Sequence, residues 1–272
     1  MCNERIYDKP IVLPVAKVID EGENLVTLFF NHELNAKPGQ FIMLWLPGVD
    51  QKPFSIAYQD KTSFGITIFA IGEFTKKMLN IKKGDLLGIQ GPYGHGYSTE
   101  CYSAALVGGG CGTASLALLA DELASQAKKV NFIIGARNKD TLLYLKRYEN
   151  TSVNIMPCTD DGSYGFKGFT TQALTELMKK EKIDKIYTCG PEIMMKKVMN
   201  ISDEFGKECE VSMERYMKCG FGVCGQCVVD GSGARICKEG PVLSKEIVKL
   251  IPDFGYYKRL ASGKKLMFNQ PR

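Results

Sequence analysis

The sequence predicts a β-barrel followed by an α/β domain with a parallel sheet, completed by a small cysteine-bearing module at the C-terminal end. Three observations carry this prediction. Residues 1–99 hold short runs rich in Val, Ile, Phe and Thr, separated by turn signals at regular spacing, which is the pattern of a small antiparallel barrel. From residue 100 to 209 the rhythm changes to alternating strands and helices, the signature of a parallel sheet. In residues 210–272, Cys219, Cys224 and Cys227 follow a C-x4-C-x2-C spacing, and Cys237 follows after nine intervening residues.

Composition bounds the function. The 272 residues are 44% hydrophobic and 24% charged, ordinary values for a folded soluble domain. A net charge of +5 from 35 basic and 30 acidic residues, evenly spread, argues against nucleic acid as a partner. Residues 1–9 are charged and lack an apolar segment, so no secretory signal is expected. The longest apolar run, 104–120, is interrupted by Gly108, Gly109, Gly110 and Gly112, so it reads as strand, loop and helix and not as a membrane span. Ten cysteines in such a chain suit a reducing cytoplasm, where thiols serve metals. With only His32 and His95, a histidine-based triad or metal site is not expected.

In the first segment, strands are expected over 11–19, 25–30, 41–45, 65–69 and 86–90, with turns at 35–39 and 82–85. Lys52-Pro53-Phe54-Ser55 sets a cation and a hydroxyl beside a proline-fixed backbone. Such a pair can hold a flavin's phosphate or ribityl oxygens, although on the residues alone an ordinary strand entry is the simpler reading. Gly72-Glu73-Phe74-Thr75 reads as a turn feeding a short helix. Its N-terminus either receives a pyrophosphate or is a surface helix capped by Thr75. Residues 91–94 are expected to form the tight turn that closes the barrel.

In the second segment, residues 104–107 form a buried strand, 108–112 a glycine loop and 113–126 a helix, the phosphate-binding unit of doubly wound folds. Strands are expected over 130–135, 153–157 and 185–188, and helices over 142–148, 170–180 and 193–205. Ligands bind such sheets at the carboxyl ends of the strands. Three glycine-bearing loops fall there: one around Gly109, Gly110, Gly112 and Thr113, one at Asp160 and Asp161, and Cys189-Gly190-Pro191.

The cysteine spacing of the third segment is the plant-type ligand pattern for a [2Fe–2S] cluster. Gly220, Gly222 and Gly225 let the backbone wrap a small inorganic core and leave amides free to point at sulfur. A hairpin turn at 231–233 brings back Cys237, and the chain ends in a basic tail. Two readings compete for the four cysteines: structural zinc in a non-catalytic scaffold, although zinc ribbons usually pair two C-x2-C knuckles and one is present here, and two disulfides, which need an oxidising compartment.

Taken together, the segments GGGCGTASL, TDDGSYG, TCGP, MERYMKCGFGVCGQC and CKEGPV resemble the ferredoxin-reductase superfamily. They resemble in particular the electron-transfer subunits of type B dihydroorotate dehydrogenases, over essentially the whole chain. The resemblance implies FAD on the barrel, NAD at the α/β domain, and a [2Fe–2S] cluster near a partner that carries FMN and oxidises dihydroorotate to orotate, usually in a heterotetramer. It places Lys52, Pro53, Phe54, Ser55, Thr67, Ile68, Phe69, Gly72, Phe74 and Thr75 against the flavin. Gly109, Gly110, Gly112, Thr113, Asp160, Cys189, Gly190 and Pro191 would face the nicotinamide nucleotide, and Cys219, Cys224, Cys227 and Cys237 would bind iron. No acid–base residue is implied. Lys52 stands where the family usually has Arg, Phe69 where a second Arg is common, and Lys76 and Lys77 are nearby cations that would compensate. The same module also serves hydrogenases, sulfite reductases and NADH-dependent ferredoxin:NADP oxidoreductases, and a stand-alone reductase is a further reading. Arg137 leaves NADH against NADPH open.

Overall fold

The computed structural model describes residues 9–268. Most of the charged N-terminal stretch (1–8) and the end of the basic tail (269–272) lie outside the described residues. Six antiparallel strands close the barrel: β1 (Ile11–Gly22), β2 (Leu25–Phe30), β3 (Phe41–Leu46), β4 (Asp50–Gln59), β5 (Phe64–Phe69) and β6 (Leu86–Tyr93), in the order β1-β2-β5-β4-β3-β6. Alternate side chains point inward along each strand. Val26, Leu28, Ile42, Leu44, Ile56, Ile66 and Ile68 fill the interior, and Phe74 and Met78 of the short helix α1 (Glu73–Met78) join the same core. Lys52 to Ser55 lie within β4, which sequence reading had marked only as a strand entry. The expected turn at 91–94 is corrected: β6 runs on to Tyr93, which pairs with Phe41, and the strand ends at Gly94 with φ 78°.

The second unit is a seven-stranded sheet. Its strands are β7 (Ser103–Gly109), β8 (Lys129–Ala136), β9 (Asn154–Thr159), β10 (Phe166–Lys167), β11 (Lys185–Cys189), β12 (Glu208–Ser212) and β13 (Val242–Ser244), ordered β10-β9-β8-β7-β11-β12-β13. All pair in parallel except β13, which runs antiparallel to β12. β12 spans residues 209 and 210, and β13 returns from the cysteine-bearing segment, so that segment contributes an edge strand to this sheet.

Helix α2 (Thr113–Ser125) is buried almost all round, because it lies between the sheet and β4 of the barrel. Its alanines permit that close fit. Helices α4 (Thr170–Lys180) and α5 (Glu192–Glu204) put Leu174, Leu177, Met195 and Val198 on the opposite face, where they meet Met213, Cys227, Ile236 and Phe254 of the last segment. The helix expected over 142–148 shortens to α3 (Leu145–Tyr148). Tyr144 before it adopts φ 65° and spends its hydroxyl on Thr67 of the barrel, 2.7 Å away. Arg147 of α3 crosses the same junction: it donates to the Ala57 carbonyl at 2.8 Å, stacks on Tyr58 at 3.6 Å and pairs with Asp121 of α2.

The last segment forms the cysteine loop, helix α6 (Lys245–Lys249) and a hairpin of β14 (Tyr257–Arg259) and β15 (Lys265–Met267). The cysteine loop sits on the barrel. Phe221 meets Tyr93 of β6 at 6.1 Å, and a Cβ on Gly220, whose φ is 84°, would lie against Met43 of β3. No helix among the described residues is long and apolar enough to cross a membrane.

Candidate functional site

Cys219 and Cys224 lie near the surface, while Cys227 and Cys237 are buried. Gly220, Gly222 and Gly225 all take left-handed φ values of 84°, 86° and 70°, which a side chain would strain. They turn backbone amides onto sulfur: Cys224 N–H donates to Cys219 Sγ at 3.5 Å, Gln226 N–H to Cys224 Sγ at 3.5 Å, and Cys237 N–H to Cys227 Sγ at 3.4 Å. The expected turn at 231–233 is present, with Val229 N–H donating to the Ala234 carbonyl at 3.0 Å, and it brings Cys237 beside Cys227.

These contacts favour thiolates. The hydrogen bond from the Cys237 thiol, with the Cys237 amide, outweighs burial and lowers Cys227 to about 6. That same bond, with burial, pushes Cys237 up. At Cys219 burial opposes ionisation, but the amides of Cys224, Phe221 and Val223 prevail and lower the thiol to about 7. The sulfurs therefore stand as two pairs, Cys219 with Cys224 and Cys227 with Cys237. Among the described residues no three His, Cys, Asp or Glu side chains converge as a single-ion site. Two thiol pairs on a loop rich in inward-facing amides fit a core with two irons, each taking two thiolates.

Beside this loop lies a cleft of about 880 Å³. The barrel contributes Lys52, Pro53, Phe54, Ser55, Thr67, Phe69, Gly72, Phe74 and Thr75 to its lining, and Cys189 comes from the end of β11. Phe54 and Phe74 stack with centroids 6.2 Å apart and form an aromatic wall. Ile68 does not join them: strand alternation turns it into the barrel core with no exposure, so only its backbone is available to a ligand. Gly72 is the N-cap of α1, and Thr75 sits three residues on, with its hydroxyl accepting from the Gly72 amide at 2.9 Å. The Thr75 hydroxyl is thus committed to the turn, and the six-residue α1 is too short to act as an anion site of its own. Lys76 and Lys77 do not reach the cleft, and Lys77 pairs with Glu73 at 3.5 Å. Lys52 is engaged by Asp50 at 2.5 Å and by Tyr216, whose hydroxyl lies 3.3 Å from Nζ.

The strand ends assemble as a nucleotide-binding edge should. Register places Cys189 beside Gly108, Gly109 beside Gly135, and Ala136 beside Thr159. A Cβ on Gly109 would stand 2.7 Å from Met194 Sδ, one on Gly190 would stand 2.9 Å from the Gly109 carbonyl, and one on Gly112 would press into the Cys189 carbonyl. These glycines let the two loops lie against each other, with Pro191 packed between. Gly110 has φ 54° and open space before it, which leaves that backbone accessible to a phosphate. Thr113 opens α2 with its side chain buried against Gly108. Asp160 stands exposed past the end of β9, its amide held by the Ala136 carbonyl at 3.1 Å, on the same edge but outside the cleft lining.

Several cleft residues were not singled out from sequence. Cys111 and Ala114 come from the glycine loop and α2, Met213 to Met217 from the lead-in to the cysteines, and Lys258 to Ser262 from the C-terminal hairpin. Cys111 and Glu214 are exposed and lie together, Sγ 3.9 Å from the carboxylate, and the Glu214 charge pushes the Cys111 thiol up to about 12. Arg215 is 4% exposed and pairs with Glu192 and, at 3.0 Å, with Asp253, which are 8% and 3% exposed. Glu192 also accepts from the Gly255 amide at 2.8 Å. This buried triad ties the nucleotide loop, the cysteine lead-in and the C-terminal segment into one frame. The nearest signal in the sequence was the lead-in motif itself, whose Glu, Arg and Tyr face three different partners once folded.

Comparison with known proteins agrees with this geometry. Residues 214–249 match the iron-sulfur cluster binding domain of dihydroorotate dehydrogenase B, and residues 106–200 match the oxidoreductase NAD-binding domain. A probable dihydroorotate dehydrogenase B (NAD(+)) electron transfer subunit of Methanocaldococcus jannaschii is 48% identical over 261 residues, covering 96% of this chain and 100% of the relative. One of the same description from Methanothermobacter thermautotrophicus is 43% identical, covering 94% and 97%. Among solved structures, an NADH-dependent reduced ferredoxin-NADP oxidoreductase, described in terms of flavin-based electron bifurcation, superposes with a TM-score of 0.78. It is 28% identical, over 90% of this chain and 94% of that one. Phthalate dioxygenase reductase shares the fold, with a TM-score of 0.61 at 14% identity, covering 72% of this chain and 65% of that one.

Proposed function

Since the chain belongs to the family of dihydroorotate dehydrogenase B electron transfer subunits, we propose that the cleft flanked by the cysteine loop and the nucleotide edge is where electrons pass between NAD and a catalytic partner. It is an NAD-linked oxidoreductase subunit using FAD, a [2Fe–2S] cluster and NAD, and it works with the catalytic subunit of dihydroorotate dehydrogenase. That partner is an FMN protein converting dihydroorotate to orotate, in a heterotetramer. Held by this chain, the cluster and FAD would supply a redox link between the catalytic partner and NAD+. When bound, FAD supplies the conversion between a hydride carrier and a one-electron centre.

The chain's own residues bind, orient and shield. Residues 1–99 carry the flavin wall, with Pro53, Phe54, Ser55, Thr67, Phe69 and Phe74 facing the cleft and Lys52 held in place by Asp50 and Tyr216. Residues 100–209 carry the nucleotide edge, where Gly109, Gly112, Gly190 and Pro191 pack the two loops together and Gly110 leaves backbone open to a dinucleotide. Residues 210–272 carry the four cysteines, and backbone amides aimed at sulfur lower the Cys219 and Cys227 thiols. No side chain is asked to move a proton. Cysteines that are free among the described residues support a cytoplasmic setting.

The observation that carries this reading is the shared lining: barrel residues, Cys189 and the cysteine lead-in all face one cavity large enough for a ring system. Anaerobic purification is expected to give a protein with flavin and iron–sulfur absorption that NADH bleaches. Co-purified with its partner, it should reduce NAD+ when given dihydroorotate. A colourless protein, or zinc without iron and acid-labile sulfide, would overturn the reading. The likeness to the ferredoxin-NADP oxidoreductase supports a second reading, a subunit serving that reaction. Co-purification with a ferredoxin-reducing partner in place of the dihydroorotate-oxidising one would select it.

A further inference from the structure

Four cations line the cleft: Lys52, Arg215, Lys258 and Arg259. Three are committed: Lys52 to Asp50, Arg215 to Glu192 and Asp253, and Arg259 to Asp230 at 2.8 Å. Among the described residues, Lys258 makes no ion pair. A dinucleotide brings a doubly charged pyrophosphate, and Lys52, the barrel cation in the lining, is already paired with Asp50.

Lys258 is placed with care. It lies in β14, between two residues tied to Asp230: the Tyr257 hydroxyl donates to Asp230 at 2.6 Å, and Arg259 holds both Asp230 oxygens. Strand alternation then sends Lys258 to the opposite face. There its charge acts on Cys111 of the glycine loop and on Glu214. The hairpin is fastened again where Gln226 of the cysteine loop donates to the Ala261 carbonyl at 3.4 Å.

We propose that Lys258, presented by the C-terminal hairpin, binds a phosphate of a dinucleotide lying in the cleft. The tail is then a strap that contributes a binding cation, besides covering the site. The proposal rests on the flavin and nicotinamide reading above, and two dinucleotides share the relevant chemistry.

The test is Lys258→Gln in the full chain, with Lys258→Arg as the conservative variant and Lys264→Gln, on the same hairpin but outside the cleft lining, as control. Flavin-stripped protein is titrated with FAD and with riboflavin by fluorescence, and flavin-loaded protein with NADH and with nicotinamide riboside. A charge-assisted hydrogen bond to phosphate predicts a loss of about tenfold or more in affinity for one dinucleotide, with a shallower salt dependence. Riboflavin and nicotinamide riboside, which lack phosphate, should bind as to wild type, and Lys258→Arg should restore most of the loss. A fall confined to FAD assigns the flavin's pyrophosphate, and one confined to NADH assigns the nicotinamide dinucleotide's. Unchanged affinity for both, or an equal loss for the phosphate-free ligands, overturns the proposal. Wild-type protein that binds neither FAD nor NADH would instead overturn the functional reading beneath it.

Discussion

Replacing Arg215 with methionine would leave two buried carboxylates, Glu192 and Asp253, facing a site from which their cation has gone. All three side chains are less than a tenth exposed, so water screens the loss poorly. Removing one partner of a buried ion pair costs about 3–5 kcal/mol. Because Arg215 serves two acids here, about 4 kcal/mol is the working figure. For 272 residues the unfolding entropy is about 0.57 kcal/mol/K, so Tm should fall by about 7 °C in a thermal scan at neutral pH. The loss should shrink in acid. Glu192 already has its carboxyl raised by burial, with Arg215 opposing that rise. A raised folded-state pKa stabilises below the unfolded value and loses that contribution as pH climbs through the folded one. Without Arg215 the rise grows, so the Tm deficit of Arg215→Met should be smaller at pH 5 than at pH 8. Adding Glu192→Gln and Asp253→Asn should recover most of the stability, since a neutral set of similar volume does not strand a charge. A triple variant as unstable as the single one, or a deficit independent of pH, would refute the reasoning.

Other perturbations separate the parts of the site. Cys227→Ser should abolish bound iron and acid-labile sulfide while leaving the flavin spectrum and its bleaching by NADH intact; loss of flavin as well would contradict the separation of cluster loop and flavin wall. In iron-free protein, Cys219 should alkylate with a midpoint near pH 7, reacting faster as pH rises past it, whereas Cys111, pushed to about 12, should stay inert below pH 9 despite its exposure. Mass spectrometry of the labelled peptides reads both. Gly112→Ala would drive a Cβ into the Cys189 carbonyl and should cost about 1–3 kcal/mol together with NADH affinity, while Gly72→Ala, with nothing within 4 Å, should alter stability by less than about 0.5 kcal/mol. Denaturant melts and NADH titration of the two variants decide it.

The readings that came from sequence and those that needed the fold differ in the range of the interactions involved. The cysteine loop was legible because its chemistry is local: spacing and intervening glycines determine how amides meet sulfur. The strand-end loops were legible for a similar reason, since a parallel sheet puts its carboxyl ends on one edge whatever the detail. The barrel strands followed from alternation, and the same alternation explains why Ile68, between Thr67 and Phe69, belongs to the core. The shortened α3 was not legible, because Tyr144 and Arg147 answer to Thr67, Ala57 and Asp121 in other elements.

Sequence by itself thus determined three kinds of segment, the spacing of the four thiols and the glycine-bearing edge, each set by neighbours a few residues apart. Only the tertiary structure decided which cations remain free, which carboxylates are buried together, and that Lys258 reaches the cleft. Ion pairing is settled by approach through space: Arg215 meets Glu192 and Asp253, and Arg259 meets Asp230, only after the chain has folded back on itself. A lysine's availability is therefore a property of the fold and not of the residues beside it.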